Sequence, residues 1–339
     1  MRILVLIDLE AADLRDPQFT RPKKRDTAEM EWHVVSALRR LGHEVAVLPL
    51  EEQPARAIRS LKNADTDLVF NLTEHLGGDR RKDAYIASLL ERLDLPYTGA
   101  GPGGLALCRD KARSKRLLRR AGFDVPGFEV LAVGKRRLSR GLRYPVLVKP
   151  LMADASEEMA RDSLASTARI ALERVALLHR RTGQPVICEE FIQGREIKIA
   201  LLGNHRPAVL PPREVCFGSA GCGGPKFITS RVKGDPEYRR TWNIRYPRAR
   251  LSPGELRQVA AVAIPMYRLL EMRDYGKIDV RLTPEGRVFF IEGNPNPDLS
   301  PEGFGRMASW AGLGYADLIR RIVKLASQRR KQTAGLRRG

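Results

Sequence analysis

Apolar and polar positions fall into blocks whose spacing switches between the two-residue period of a strand and the 3.6-residue period of a helix. Arg2 to Ile7 is an apolar run of strand length, and Thr27 to Leu41 repeats its apolar residues at helical spacing before stopping at Gly42. A second strand is expected over His43–Leu48, a third over Asp67–Leu72, and a helix over Ala84–Leu93. Leu95 to Thr98 begins a short fourth strand that runs into Gly99-Ala-Gly-Pro-Gly-Gly104. Strands alternating with helices predict an α/β protein whose residues 1–104 form a small, doubly wound parallel-sheet domain.

Leu105–Ala121 reads as one long basic helix ending at Gly122. Phe123–Val133 and Tyr144–Lys149 read as strands of a second, smaller layer, followed by a polar loop over Leu151–Glu158 and a helix over Ala165–Arg180. Residues 105–184 and 185–327 then divide the rest of the chain. The second of these holds strands over Pro185–Ile192 and Glu196–Leu202, loops with short strands over Pro211–Arg248, and a helix over Pro253–Glu271. An apolar hairpin follows, and Tyr315–Ala326 is a closing helix. Residues 328–339 read as a basic tail, frayed and remote from any site.

Composition narrows the class. Of 339 residues 43% are hydrophobic, enough for two or three packed domains, and no apolar run approaches the roughly 20 residues of a membrane span. Acidic Asp8 and Glu10 follow the first apolar run directly, so it is a strand rather than a signal peptide, and a cytoplasmic location with no membrane contact is expected. Cys108, Cys188, Cys216 and Cys222 form no close pair and are expected as reduced thiols; the five histidines are scattered, which argues against zinc. Sixty basic residues against 40 acidic give +20, which fits either an anionic partner or a solvated basic surface. Nucleic acid is not expected as a partner, because aromatic content is only 6% and no RNA-binding motif is present.

Gly99 to Gly104 matches G-x-G-x-x-G, but it follows the fourth strand instead of the first, and Pro102 lacks an N–H that a pyrophosphate would need. A tight strand-to-helix turn is the simpler expectation. The hairpin Gly276–Leu282 and Arg287–Asn294 is more informative. Lys277, Asp279 and Arg281 share one face; Ile278, Val280 and Leu282 share the other. A two-residue turn at Glu285-Gly286 sets Asp279 directly opposite Glu292, where two like charges repel. Either they pair with Lys277 and Arg281 on a surface hairpin, or a cation sits between them. One or two carboxylates completed by phosphates and water suit Mg²⁺, and Asn294 shares the face of Glu292. No Gly-x-x-x-x-Gly-Lys-[Ser/Thr] loop exists, so phosphates would fall to lysines such as Lys111 and Lys149, the latter ending the apolar run Tyr144-Pro-Val-Leu-Val-Lys149.

The order and spacing of these motifs resemble the ATP-grasp carboxylate–amine ligases, in particular D-alanine–D-alanine ligase-like proteins, from about Val69 to Ile322. The resemblance rests on Phe70-Asn-Leu-Thr-Glu74, Tyr97-Thr-Gly99, Asp110-Lys111, Val148-Lys-Pro150, Asp154-Ala-Ser156, Glu189-Glu-Phe-Ile192 with Gly194-x-Glu196, Ile278-Asp-Val280 and Glu292-Gly-Asn-Pro-Asn-Pro297. It implies an ATP-grasp fold after the small parallel-sheet domain. It implies that Lys111 and Lys149, and Lys233 as a third, contact ATP phosphates, with Ser156 in the loop that covers them. Glu189, Glu190, Phe191 and Ile192 would be the adenine-binding linker, and Glu196 would hold the ribose hydroxyls. Asp279, Glu292 and Asn294 would bind two Mg²⁺, or Mn²⁺ in their place, and Lys277 would stabilise the tetrahedral oxyanion.

The implied reaction joins a small carboxylate to an amine through an acyl phosphate, releasing ADP; a homodimer is the usual assembly. The family usually has Arg where Lys277 stands and glycine near Glu158, and the sequence after β-strand Arg2–Ile7 lacks the acidic motif of true D-alanine–D-alanine ligases. These departures leave the substrates unassigned and keep open a second reading, a nucleotide-binding regulator or scaffold without turnover.

Overall fold

The computed structural model describes residues 1–21, 29–51, 53–153, 158–218, 224 and 226–336. Thr27, Ser156 and Cys222 lie outside these residues. Strand β1 (Arg2–Asp8) is the middle of three parallel strands, between β2 (Glu44–Leu50) and β3 (Leu68–Asn71). Its period-two alternation serves two cores. Ile3, Val5 and Ile7 pack with Val34, Val35 and Leu38 of α1 (Met30–Arg40). Leu4 and Leu6 face α2 (Pro54–Lys62) and α3 (Asp83–Arg92). A strand buried on both faces has no polar positions, which is why it reads as a continuous apolar run. The expected fourth strand reduces to a single parallel bridge between Tyr97 and Val69. Pro96 has no N–H to extend the ladder, and Gly99, at φ +89°, turns the chain away.

The expected helix over 105–121 is two helices, α4 (Pro102–Arg109) and α5 (Lys111–Arg120). Asp110 between them is extended, and its carboxylate accepts the amides of Ala112 and Arg113 at 3.0 and 2.9 Å, an N-cap inside a helical period. The glycine run is the strand-to-helix turn anticipated for it. At Gly104 a Cβ would lie 2.6 Å from the Glu271 carbonyl, so only glycine allows this helix to approach that loop.

Two antiparallel sheets follow. The first has order β4-β7-β5-β6, from β4 (Phe128–Leu131), β5 (Val146–Pro150), β6 (Leu164–Ala165) and β7 (Val186–Glu190), with α6 (Ala168–Thr182) over one face. The second has order β11-β10-β8-β12-β13, from β8 (Arg195–Leu202), β10 (Arg213–Phe217), β11 (Ile244–Arg245), β12 (Tyr275–Leu282) and β13 (Val288–Asn294), with β9 (Ala208–Val209) beside β8. The stretch expected as loops with short strands also carries two short helices, α7 (Ser230–Gly234) and α8 (Pro236–Thr241). On the second sheet Ile197, Ile199, Ile278 and Val280 pack under α9 (Pro253–Leu269), which leaves the polar alternates facing the first sheet.

The hairpin keeps the expected pairing by an unexpected route. Thr283 N–H donates to the Arg287 carbonyl at 2.9 Å around a three-residue turn, Pro284-Glu285-Gly286, with Gly286 at φ +83°. That turn shifts the register by one, and a bulge at Ile291 shifts it back, so Asp279 still faces Glu292.

Helix α10 (Phe304–Trp310) precedes α11 (Tyr315–Leu336), whose Leu318, Ile319 and Ile322 complete the core beneath the N-terminal sheet. The basic tail therefore continues this helix instead of fraying at 328. Arg329 reaches the fully buried Asp274 at 2.6 and 3.0 Å and donates to the Tyr97 carbonyl at 2.7 Å. No helix among the described residues is long and apolar enough to cross a membrane.

Because Asp274 is buried, Arg329→Ala strands a charge and is expected to lower stability by about 3 kcal/mol. Truncation after Ser327 should do at least as much. Urea midpoints unchanged from the full-length chain would show that the α11 extension carries no stability.

Candidate functional site

The polar faces of the two antiparallel sheets line a cleft between them. One end is apolar: Leu147 and Met159 meet Phe227, and Phe191 meets Phe227 edge to face at 6.4 Å. The Glu190 amide donates to the Gly127 carbonyl at 2.8 Å and the Phe191 amide to the Pro145 carbonyl at 2.9 Å, committing both to the sheet. The Ile192 amide has no partner among the described residues, at the mouth of this apolar end. The other end is charged, lined by Lys111, Lys149, Lys198 and Lys233 together with Glu196, Asp279 and Glu292.

Each charge is held by its element. Lys149 ends β5, where burial of the rest of the strand delivers its amine to the cleft, and it lies 3.3 Å from Glu189. Glu189 is buried, and its second oxygen lies 3.1 Å from Lys115. Its side chain is thus a counter-ion behind the cleft, and only its backbone lies in the linker expected to read a base. Burial pushes the Glu189 carboxyl up, but Lys115 and Lys149 outweigh it and hold it below the usual carboxylate range. Lys115 was not anticipated from the sequence. It is fully buried, donates to the carbonyl of the bulged Ile291, and sits 5.1 Å above the Phe290 ring. Burial takes its ammonium down to about 8. The Lys111 amine is tied to the Ala153 carbonyl and, at 3.4 Å, to that of Leu151.

On the opposite wall the β8–β12 register sets Lys198 across from Asp279 and Glu196 across from Arg281. Lys198 lies 2.5 Å from Asp279 Oδ2, and Arg281 lies 2.9 Å from Glu196. The alternative reading, a surface pairing of Asp279 with Arg281, does not form, and Lys277 approaches Asp279 only to 3.8 Å. Lys198 was invisible as a partner because cross-strand register is a tertiary fact. Burial raises the Asp279 carboxyl, and the ammonium groups of Lys198 and Lys277 more than offset this, so it lies below its ordinary value. Burial also lowers Lys277, assisted by Lys198 and Lys233 and opposed by Asp279.

A divalent cation fits this wall. Asp279 Oδ1 is buried with no hydrogen-bond partner, and the Glu292 carboxylate stands in the facing register position. The Asn294 side-chain oxygen accepts the Asn296 amide at 2.9 Å, which fixes its direction. Among the described residues no group of three or more His, Cys, Asp or Glu could hold a metal unaided, so these residues would need phosphates and water to complete a Mg²⁺ shell. Lys277 opens instead onto an adjoining chamber that shares Lys198, Ile228 and Lys233 with the cleft. Glu158 turns out of the cleft: its carboxylate reaches Arg181 at 3.0 Å, and its φ of +58° is the left-handed conformation that glycine adopts most easily. Ser156 lies outside the described residues.

The family model for the "D-ala D-ala ligase C-terminus" matches residues 117–324. The chain is 30% identical to an uncharacterized protein of Sinorhizobium fredii (strain NBRC 101917 / NGR234) over 311 residues, covering 87% of each. It is 29% identical to the D-alanine–D-alanine ligase A of Chromobacterium violaceum over 312 residues, 89% of this chain and 81% of that one. In three dimensions it is similar to the D-alanine–D-alanine ligase of Bacillus anthracis crystallised with ATP, with a TM-score of 0.74 at 19% identity over 98% of this chain and 99% of that one. That likeness speaks to the fold.

The buried triad makes a sharp stability prediction. Glu189→Gln leaves two lysines without their shared carboxylate and is expected to cost about 3–5 kcal/mol. Lys115→Met leaves a one-to-one pair and should cost clearly less. Equal urea midpoints for the two variants would contradict this apportioning of charge.

Proposed function

The chain belongs to the D-alanine–D-alanine ligase family of ATP-grasp proteins, and from that premise we propose that it is an ATP-dependent, ADP-forming ligase joining a small carboxylate to an amine. The observation that carries the reading is the single cleft with an apolar end, lysines on one wall and the Asp279–Glu292 pair on the other. Adenine would lie between Phe191, Met159 and Phe227, its edge read by the Ile192 amide, and the Glu196 carboxylate would take the ribose hydroxyls. Lys111, Lys149 and Lys233 would receive the phosphates. Asp279, Glu292 and Asn294 would hold Mg²⁺, which when bound supplies neutralisation of phosphate charge.

A carboxylate oxygen of the substrate attacks the γ-phosphorus, the bond to the β-phosphate oxygen breaks, and ADP leaves. The amine nitrogen then attacks the acyl carbon of the acyl phosphate. Its proton passes to solvent, and the carbon–oxygen bond breaks to release inorganic phosphate. The chain's part is positioning and electrostatics: Lys233 faces the transferred phosphoryl group from the loop side, and Lys277 faces the acyl carbon from the chamber. A short, partly desolvated ammonium at position 277 donates as a point charge where an arginine would offer a planar fork. The chamber that holds Lys277 adjoins the nucleotide cleft at Lys198, Ile228 and Lys233, which supports carboxyl activation followed by capture of the amine in adjoining space.

ADP release measured with pools of amino acids is the direct test, and no stimulation by any acid, alone or paired with an amine, would sink the ligase reading. Glu292→Gln is expected to lower magnesium-dependent ATP turnover by at least about 10²-fold with the urea midpoint little changed. Asp279→Asn should lose as much activity and also stability, because Lys198 loses its close partner. Lys277→Ala should reduce kcat by about 10²-fold with the KM for ATP nearly unchanged, since an interaction made mainly in the transition state is removed. An unaltered kcat in Lys277→Ala would remove it from the chemistry.

A further inference from the structure

The chamber beyond Lys277 holds more positive charge than the ligation of a neutral amino acid requires. Arg213 on β10 stands directly opposite Lys198 on β8, a pairing of like charges that a sheet does not favour. Lys198 is satisfied by Asp279, whereas Arg213 has no carboxylate within ion-pair distance among the described residues. Its Nε donates to the Tyr246 carbonyl at 3.0 Å and its Nη1 to the Glu302 carbonyl at 2.7 Å, and it lies 5.1 Å from the centre of the Tyr246 ring. Two neutral acceptors and an aromatic face hold the guanidinium, and Nη2 has no acceptor among the described residues. Burial lowers the Arg213 pKa, which marks a charge held partly out of water.

Arg239 lines the same chamber, and its Nη1 is held by the carbonyls of Val232 and Lys233 at 3.0 and 2.7 Å, again with no acid. The carboxylates that line the chamber are already engaged: Glu74 with Arg80, Glu302 with Arg306, and Asp298 with the Ser300 hydroxyl at 2.9 Å. A partly buried guanidinium held only by carbonyls is a ready acceptor for an anion, because a charge-assisted pair recovers what desolvation removes.

We propose that Arg213, backed by Arg239, is a subsite for a second carboxylate, so that the substrate is an acidic amino acid or related dicarboxylate. This rests on the ligase reading, in which Lys277 takes the reacting carboxyl and Lys233 the transferred phosphate; Arg213 is the cation those two tasks leave over. Arg213 then sets specificity without touching the reacting atoms.

Binding and turnover separate the two ideas. Glutarate and butyrate, titrated calorimetrically into the full chain with ADP and Mg²⁺, are the probes. Glutarate is expected to bind the wild type at least about tenfold more tightly than butyrate, the worth of one charge-assisted pair. Arg213→Gln should erase that preference, and Arg213→Lys should restore most of it by returning the charge. Arg239→Gln, which makes no bond to the Glu302 loop, should also weaken it, so that a mere displacement of that loop is excluded. In ADP-release assays the preference for glutamate and aspartate over alanine should fall by the same factor in Arg213→Gln. Equal binding of the two probes by the wild type, or a preference that survives Arg213→Gln, would overturn the subsite. A glutarate preference lost in Arg213→Gln, with no ADP release from any amino acid, would overturn the ligase reading and keep the subsite.

Discussion

The contact between Lys198 and Asp279 is the constraint on which the site depends. Asp279 is buried on a strand whose other face is core, and a lone carboxylate there would be too costly to desolvate. Antiparallel pairing of β8 with β12 puts Lys198 beside it at 2.5 Å and satisfies one oxygen. The other oxygen stays buried without a hydrogen bond, 3.8 Å from the Lys277 ammonium, on the strand position that faces Glu292. The protein is thereby electrically stable at rest and still able to offer a ligand oxygen to a cation. The same pair disfavours a slip in register, because sliding either strand by one residue would drive its own charge into the apolar core under α9 and strand the other.

The opposite wall solves the converse problem. Glu189 shares one carboxylate between Lys115 and Lys149, which lets a lysine amine stand at the cleft with its charge half-balanced from behind. The bulge at Ile291 joins the two walls. It frees a carbonyl for Lys115 and, in the same step, restores the pairing of Asp279 with Glu292. One irregular residue thus serves both the buried lysine and the facing carboxylates, which is a physical reason for a bulge in an otherwise regular hairpin.

The ends of the chain meet around this core. Helix α11 seals the N-terminal sheet, and Arg329 locks Asp274 to the Tyr97 carbonyl next to the glycine turn. The N-terminal sheet is therefore tied to the sheet that carries Lys277 and Asp279. In the chamber beyond Lys277, Glu74 and Glu302 are paired with arginines and Asp298 is held by Ser300, while Arg213 and Arg239 rest on carbonyls.

The sequence by itself determined the alternation of strands and helices and the two faces of the Lys277–Leu282 strand; the opposition of Asp279 and Glu292 is expected from a two-residue turn that does not form. The first two properties follow from side-chain period and from local spacing, which any stretch of chain carries within itself. It also carried the motif order that identifies the family. Only the tertiary structure decided which charge answers which. Lys198, Lys115 and Arg213 are unremarkable letters until pairing across strands sets them against Asp279, Glu189 and an open chamber. The break at Asp110, the three-residue turn with its compensating bulge, and the docking of Arg329 belong to the same class. Each arises from a hydrogen bond or ion pair between residues whose nearness depends on how the sheets and helices pack, and a period along the chain does not encode it.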